Sequence, residues 1–505
     1  MDIKAILLRL VLIGAAFPPG LVRADPLSLL TTALASPAGP GANQAALTAA
    51  GDGSLWLTWL EPAAAGSSAL RGAAFDPVRN RWRPAVTVAR GDGFVREPGN
   101  LPAFAASADG RAAVAWTVLA ANGPGQCVML SQSSDGGHSW SPPARLSPES
   151  TDAASPALAT LADGHLAAVW LDRRARSGDG RGLGLYVRLL GPEATSDQLL
   201  DPEAAAGAQP VLAALLDGSA LVAYAGRHPG SPAQPRVLRW HRQQWGQPHE
   251  IDAEPDDGGD ALNGGPRIAV DGGRVGAVWT PRGGEARLLV SASPDAGRRF
   301  QLPVSAGLGD NAPRLPDLAL LHDGALLVTW VVEADAGGGQ RVRLGRFSPD
   351  LRPLPATITL ASAGPILSVP QIGLIHDYAG NGATAMALVA VTVGGPRPGL
   401  HLFKVTVPEG ALLAAANDDC RCSPTPAQLA GYPVRGTITG VETQTGRLTL
   451  DLDAAPGVME AGPQIFHASA ATLAVARPDR QCLARIEREA GGWRLFDLRL
   501  LEEPR

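Results

Sequence analysis

Six times along this chain an apolar run, an Asp-Gly or Gly-Gly turn and a second apolar run end in an aromatic residue, at Trp59, Trp116, Trp170, Tyr224, Trp279 and Trp330, 51 to 57 residues apart. Residues 370–393 repeat the two runs without the aromatic. The Asp-Gly dipeptide favours the tight turn of a β-hairpin, so each unit opens on two antiparallel strands. A third strand follows at residues 128–131, 185–189, 237–240, 287–291 and 342–347, and a short fourth at 144–147 and 302–305. A unit of this size cannot bury both faces alone and must stack on its neighbours. The first two strands are almost continuously apolar, which places both of their faces between neighbouring units.

Four antiparallel strands per unit, recurring along the chain, make the blades of a β-propeller, and the fold class is all-β. Seven blades are expected, with six as the alternative because the seventh unit is the least regular. Residues 27–36 precede the first unit and have no hairpin partner of their own. As the outer strand of the last blade they close the ring and remove its open edges.

Two units carry a special turn. Ser133, Asp135, Gly137 and Trp140 form a Ser-x-Asp-x-Gly-x-x-Trp pattern, and Ser293, Asp295, Gly297 and Phe300 form a looser copy. The acidic side chain can bond amides of its own turn, the glycine can take positive φ, and the aromatic anchors the loop to the sheet. The pattern resembles the Asp box (BNR repeat) of sialidase-like propellers, whose members with Asp boxes are commonly six-bladed.

Sixty glycines, 44 prolines and 18% charged residues leave no room for long solvated helices, and 45% hydrophobic residues argue against disorder. Net charge is −5 with scattered arginines, which excludes a polyanion footprint of the kind nucleic acid requires. Lys4 and Arg9, an apolar run over 10–17, and Val22 and Ala24 before Asp25 read as a secretory signal over residues 1–24. No later stretch reads as transmembrane. The mature chain is expected in the periplasm or outside the cell, with a carbohydrate or an envelope protein as partner. Of four cysteines, Cys420 and Cys422 stand one residue apart. Export favours a bridge from one of them to Cys482 or Cys127, and a thiolate metal site is the alternative.

In a four-stranded blade the Asp-Gly turns and Asp boxes share one face of the disc. Connections after the aromatic markers and between blades share the other, where a propeller channel commonly meets its ligand. On that second face stand the carboxylate candidates Glu97, Asp172 and Glu333, with Glu61 nearby, and the anion-binding candidates Arg96, Arg173, Arg227, Arg282 and Arg314. Arginines converging on one mouth hold a carboxylate in forked bonds. The alternative reading makes them solvated loop charges and blade-to-blade ion pairs. The sialidase resemblance implies an arginine triad, a Tyr–Glu pair and an aspartic acid; none of Tyr186, Tyr224, Tyr378 and Tyr432 is clearly placed for the tyrosine. Pro266-Arg267-Ile268 reads as strand interior in the fifth unit.

The pattern stops near residue 412. The propeller therefore spans residues 25–411, and a linker over 412–431 leads to five or six short strands over 432–505, a small OB-like barrel. Gly436-Thr437-Ile438-Thr439-Gly440-Val441, Gly446-Arg447-Leu448-Thr449-Leu450 and Pro456-Gly457-Val458-Met459 leading to Phe466 resemble the periplasmic copper-binding barrel. That family binds Cu(I) through one histidine and two methionines. The matching positions here carry Leu452, Gly462 and Gln464, and Met459 stands apart from them. The resemblance thus implies a barrel without its copper ligands, and the reading as a whole is an exported, non-catalytic binding or scaffold protein, tied at most to copper handling. The alternative is an exo-sialidase or other glycoside hydrolase acting on an acidic sugar.

Overall fold

The computed structural model describes residues 29–50, 54–77, 79–121, 125–148, 152–174, 183–191, 196–205, 209–215, 217–227, 231–252, 262, 264–281, 287–306, 312–333, 339–354, 357–361, 364–375, 384–395, 398–408, 432–452, 462–489 and 492–500. Their strands form six antiparallel sheets, one of them holding two blades, and one closed barrel. Blades 1 to 6 cover residues 43–91, 103–145, 153–204, 211–250, 264–306 and 314–361, and blade 7 covers 371–408. Blade 7 takes its fourth strand from the N-terminus: Leu30–Leu34 pairs antiparallel with Gly399–Pro408, from Leu30↔Thr406 to Leu34↔Leu402. The ring is therefore seven-bladed and closed as the repeat pattern implies. Blades 3 and 4 are joined by a single bridge pair, Ala204↔Gly226, which leaves them separate blades.

The core is divided. Seven apolar clusters each fill the space between two neighbouring blades. The aromatic markers Trp59, Trp170, Tyr224, Trp279 and Trp330 are among the largest fully buried side chains in these spaces. Directly across the sheet from three of them stands an arginine, in the pairs Trp59↔Arg71, Tyr224↔Arg236 and Trp330↔Arg343. In each such pair the aromatic and the stem of the arginine share one face of the sheet.

Asp135 accepts the Ser139 amide at 2.9 Å, the Ser139 hydroxyl at 2.6 Å and the Ser133 hydroxyl at 2.7 Å. These bonds hold its carboxyl well below the usual carboxylate range. Asp295 makes the same turn with the Arg299 amide at 2.9 Å and Ser293 at 2.8 Å. A third, unanticipated turn of this type is Ser348 to Arg352, where Ser348 bonds Asp350 and accepts the Arg352 amide at 3.1 Å. The first two boxes are each tied to the hairpin turn of their own blade, Gly136 N to Gly110 O at 2.8 Å and Ala296 N to Gly273 O at 2.7 Å. Boxes and hairpin turns thus share one face.

Gly137 is in the left-handed region at φ +84°, and a Cβ there would lie 2.6 Å from Cη2 of Trp56. That indole is stacked on Phe104, centroids 4.7 Å apart, in the core between blades 1 and 2. Gly137→Ala combines backbone strain with overpacking, and the expected loss is about 2 to 4 kcal/mol in a urea melt. A loss under about 0.5 kcal/mol, the range of ordinary surface substitutions, would contradict this packing.

The barrel strands Tyr432–Glu442, Arg447–Leu452, Gly462–Ala468, Gln481–Glu489 and Gly492–Leu500 close in the order first, second, third, fifth, fourth. Helix Ala470–Val475 lies between the third and fourth strands, its first turn capped by Ser469 on the Thr472 amide at 3.1 Å. This is OB-like topology. Residues 1–28 and 409–431, with the signal, the linker, Cys420 and Cys422, lie outside the described residues. Cys127 and Cys482 are free thiols among the described residues, both buried, and the bridge expected from Cys420 or Cys422 involves residues outside them; burial raises the pKa of both thiols, that of Cys482 to about 12.

Candidate functional site

The first strand of every blade lines the central channel, which has a volume of about 710 Å³. On that strand one ladder edge faces the channel and needs no partner there. This explains a signal that the reading of the sequence passed over: a proline stands just before the first strand of a blade or within its first four residues in six blades, at Pro102, Pro156, Pro210, Pro266, Pro316 and Pro370. Proline lacks an N–H and suits an unpaired edge. In four blades the register slips by a bulge at this point, with positive φ at Gln44, Ser155, Gly265 and Leu315. Bulges re-aim the side chains that flank them.

The residues before the prolines converge over the mouth. Leu101 from blade 2, Val369 from blade 7 and Leu315 from blade 6 pack with Ala46 of blade 1 in one cluster across the axis. Gln209, from blade 4, donates to Leu101 O at 2.8 Å and to Pro156 O at 2.6 Å, and accepts the Leu101 amide at 3.3 Å. Val369 N bonds Pro98 O at 3.1 Å. The described residues therefore plug the channel on the face where the sequence reading placed a ligand mouth. The channel lining continues to Ala50, Gly272 and His322 on the Asp-box face.

The residues after the prolines, with Ala46 at the matching place in blade 1, are small or apolar in blades 1 to 4 (Ala46, Ala103, Ala157, Val211) and polar in blades 5 to 7 (Arg267, Asp317, Gln371). Arg267 Nε donates to Asp317 Oδ1 at 3.1 Å, and its Nη2 stands 3.5 Å from Gln371 Oε1. Asp317 Oδ2 accepts the Ile372 amide at 3.0 Å. Burial raises the Asp317 pKa, while Arg267 and that amide work against the rise. Gln371 is 3% exposed, and its Nε2 has no partner among the described residues. Arg267 is in a strand of the fifth blade, as its sequence context implies, and it also lines the channel and links three blades.

Arg314 and Glu333 apart, the described candidates named from sequence are not brought together. Arg96 Nη2 donates to Ser68 Oγ at 2.6 Å, and Glu97 accepts Gln126 Nε2 at 3.2 Å. Arg173 pairs with Asp152 at 2.8 Å, and Arg314 pairs with Glu333 at 2.5 Å. The Asp172 side chain is fully buried, accepting from Arg174 Nε at 2.8 Å and Trp170 Nε1 at 3.3 Å. Glu61 repeats this arrangement with Arg71 at 2.9 Å and Trp59 Nε1 at 2.8 Å. Arg227 is 4% exposed, and Arg282 lies outside the described residues. Convergence on one mouth is replaced by separate local pairs.

Tyrosine chemistry is also constrained. Tyr224 is fully buried and donates to Asp201 at 2.5 Å; burial and that carboxylate push its pKa above the ordinary range. Tyr186 is 8% exposed beneath the Arg174 guanidinium, 3.9 Å from the ring centroid. Tyr378 lies outside the described residues, and Tyr432 is in the barrel. Among the described residues two carboxylates line the channel, Asp317 and Asp271. Asp271 is four residues beyond Arg267, which puts it about 13 Å further along the axis. Glycosidase pairs stand about 5 to 10 Å apart. In the barrel, Leu452 is 3% exposed within the core and pairs with Gly462 on the next strand, where Gln464 also stands. These side chains do not fit a Cu(I) site, which needs soft or imidazole donors.

No family model matches the chain, and no curated protein matches it. Among solved structures it is similar to a PL25 ulvan lyase, at 11% identity, TM-score 0.46, covering 78% of this chain and 97% of that one. It is also similar to an α-L-arabinanase of Penicillium chrysogenum, at 13% identity, TM-score 0.40, covering 62% and 94%. The Hadza microbial sialidase Hz136 matches at 13% identity and TM-score 0.38, over 57% of this chain and 63% of that one. At such identities and scores the likeness assigns neither substrate nor activity.

Proposed function

We propose that the chain is a non-catalytic binding or scaffold protein exported to the cell envelope, with the seven-bladed ring as its rigid frame. One observation carries this reading: four of the acids and arginines on the inter-blade face, Asp172, Glu333, Arg173 and Arg314, are held in ion pairs with near neighbours. A catalytic acid must reach a ligand, and a fully buried Asp172 bonded to Arg174 and Trp170 does not. Export is supported by the charged start and apolar run that precede Ala24. Any tie to copper handling is confined to docking, since Leu452, Gly462 and Gln464 offer no thioether or imidazole.

The test is a hydrolysis and elimination assay of the purified chain on aryl sialosides, arabinofuranosides, glucuronides and polyuronates. Expected is no turnover above buffer. Turnover that disappears in Glu333→Gln or Asp317→Asn would replace the scaffold reading with the glycoside hydrolase one.

A further inference from the structure

Where the closing strand of blade 7 meets the outer edge of blade 1, a cleft of about 700 Å³ opens on the rim of the ring, outside the channel. Ser36 stands on one side, and Asp76, Arg79, Arg81, Trp82 and Arg83 are among the residues of the other. Asp76 accepts the Arg79 amide at 2.9 Å and Arg79 Nη1 at 2.8 Å, and these bonds hold its carboxyl below the usual range. The charge of Arg79 is thereby matched. Arg81 and Arg83 are exposed, and the charge of Arg83 also reaches the Asp76 carboxylate. Lys404 of blade 7 adds a further positive charge at this seam through its bond to Asn80 at 3.2 Å. A chain of net charge −5 thus concentrates positive charge at one cleft.

Trp82 lies between these two arginines in sequence. Its ring is in edge contact with Phe75, centroids 5.1 Å apart at 68°, which fixes it against blade 1. Its Nε1 is enclosed and has no hydrogen-bond partner among the described residues. An anchored indole offers an apolar face to a sugar ring, and guanidinium groups match a carboxylate in forked geometry.

We propose that this seam cleft binds a saccharide bearing carboxylate groups, with Trp82 against the sugar ring and Arg81 and Arg83 on the carboxylate. The site is separate from the channel and stands whether or not the channel face is catalytic. Calorimetric titration of the full chain with a tetragalacturonate gives saturable binding. Arg81→Ala with Arg83→Ala weakens it by about tenfold or more, and leaves the melting temperature unchanged because both side chains are exposed. Trp82→Ala removes the ring and weakens binding as well. Absence of saturable binding up to about 10 mM, or equal binding by the double variant, overturns the proposal. Equally tight binding of inorganic phosphate overturns it too, because charge alone then suffices.

Discussion

A chain lacking residues 29–34 melts far below the intact one and runs as dimers or larger species on size exclusion. The strand Leu30–Leu34 keeps most of its side chains exposed, so its contribution comes through the main-chain ladder to Gly399–Pro408. About 0.5 to 1.5 kcal/mol per hydrogen bond, with about 2 kcal/mol for burying Leu29 between blades 6 and 7, amounts to roughly 5 kcal/mol. That rivals the whole net stability of an ordinary domain. Deletion also bares a ten-residue edge strand, a template for pairing with another chain. A synthetic peptide of residues 29–36 added in trans restores the melt. An unchanged melting curve in the deleted chain would show that the ring does not depend on closure.

Asp317→Ala costs about 2 to 4 kcal/mol in a urea melt, because it strips a partly buried guanidinium of its carboxylate and leaves the buried Ile372 amide unbonded. The Arg267→Met, Asp317→Leu double variant recovers most of that loss, since apolar side chains of similar volume replace the pair without an orphan charge. The contrast separates stitching of blades 5 to 7 from ligand recognition. A silent Asp317→Ala, or a double variant as unstable as the single, sinks the stitching role.

The ring was legible because its determinants are local and repeated. Trp59, Trp116, Trp170, Tyr224, Trp279 and Trp330 mark the period, and the Asp-Gly turns mark the hairpins. Even the closing strand could be read, as an apolar segment without a hairpin partner. The charges on the inter-blade face were legible as residues but not as pairs. Arg314 meets Glu333 19 positions away, through a register that only the folded sheet sets. The channel was missed for a related reason. Arg267, Asp317 and Gln371 look like strand interior until it is known that the first strand of each blade turns an edge to the axis. Six prolines, spaced like the blades, held that information in plain view.

The closing strand also sets an order of events. Leu34 and its partner Leu402 are 368 positions apart, so the first strand to be made is the last to find its place. Six blades and most of the seventh must be synthesised while it waits. Contacts of such separation come late, after the loop entropy has been reduced by everything in between. During that interval residues 30–34 are an unpaired strand, and Thr31 and Thr32 at its centre keep it less adhesive than the apolar strands it will join. The ring is a clasp that fastens only when the chain is nearly complete, and until then the propeller is an open arc seeking its own beginning.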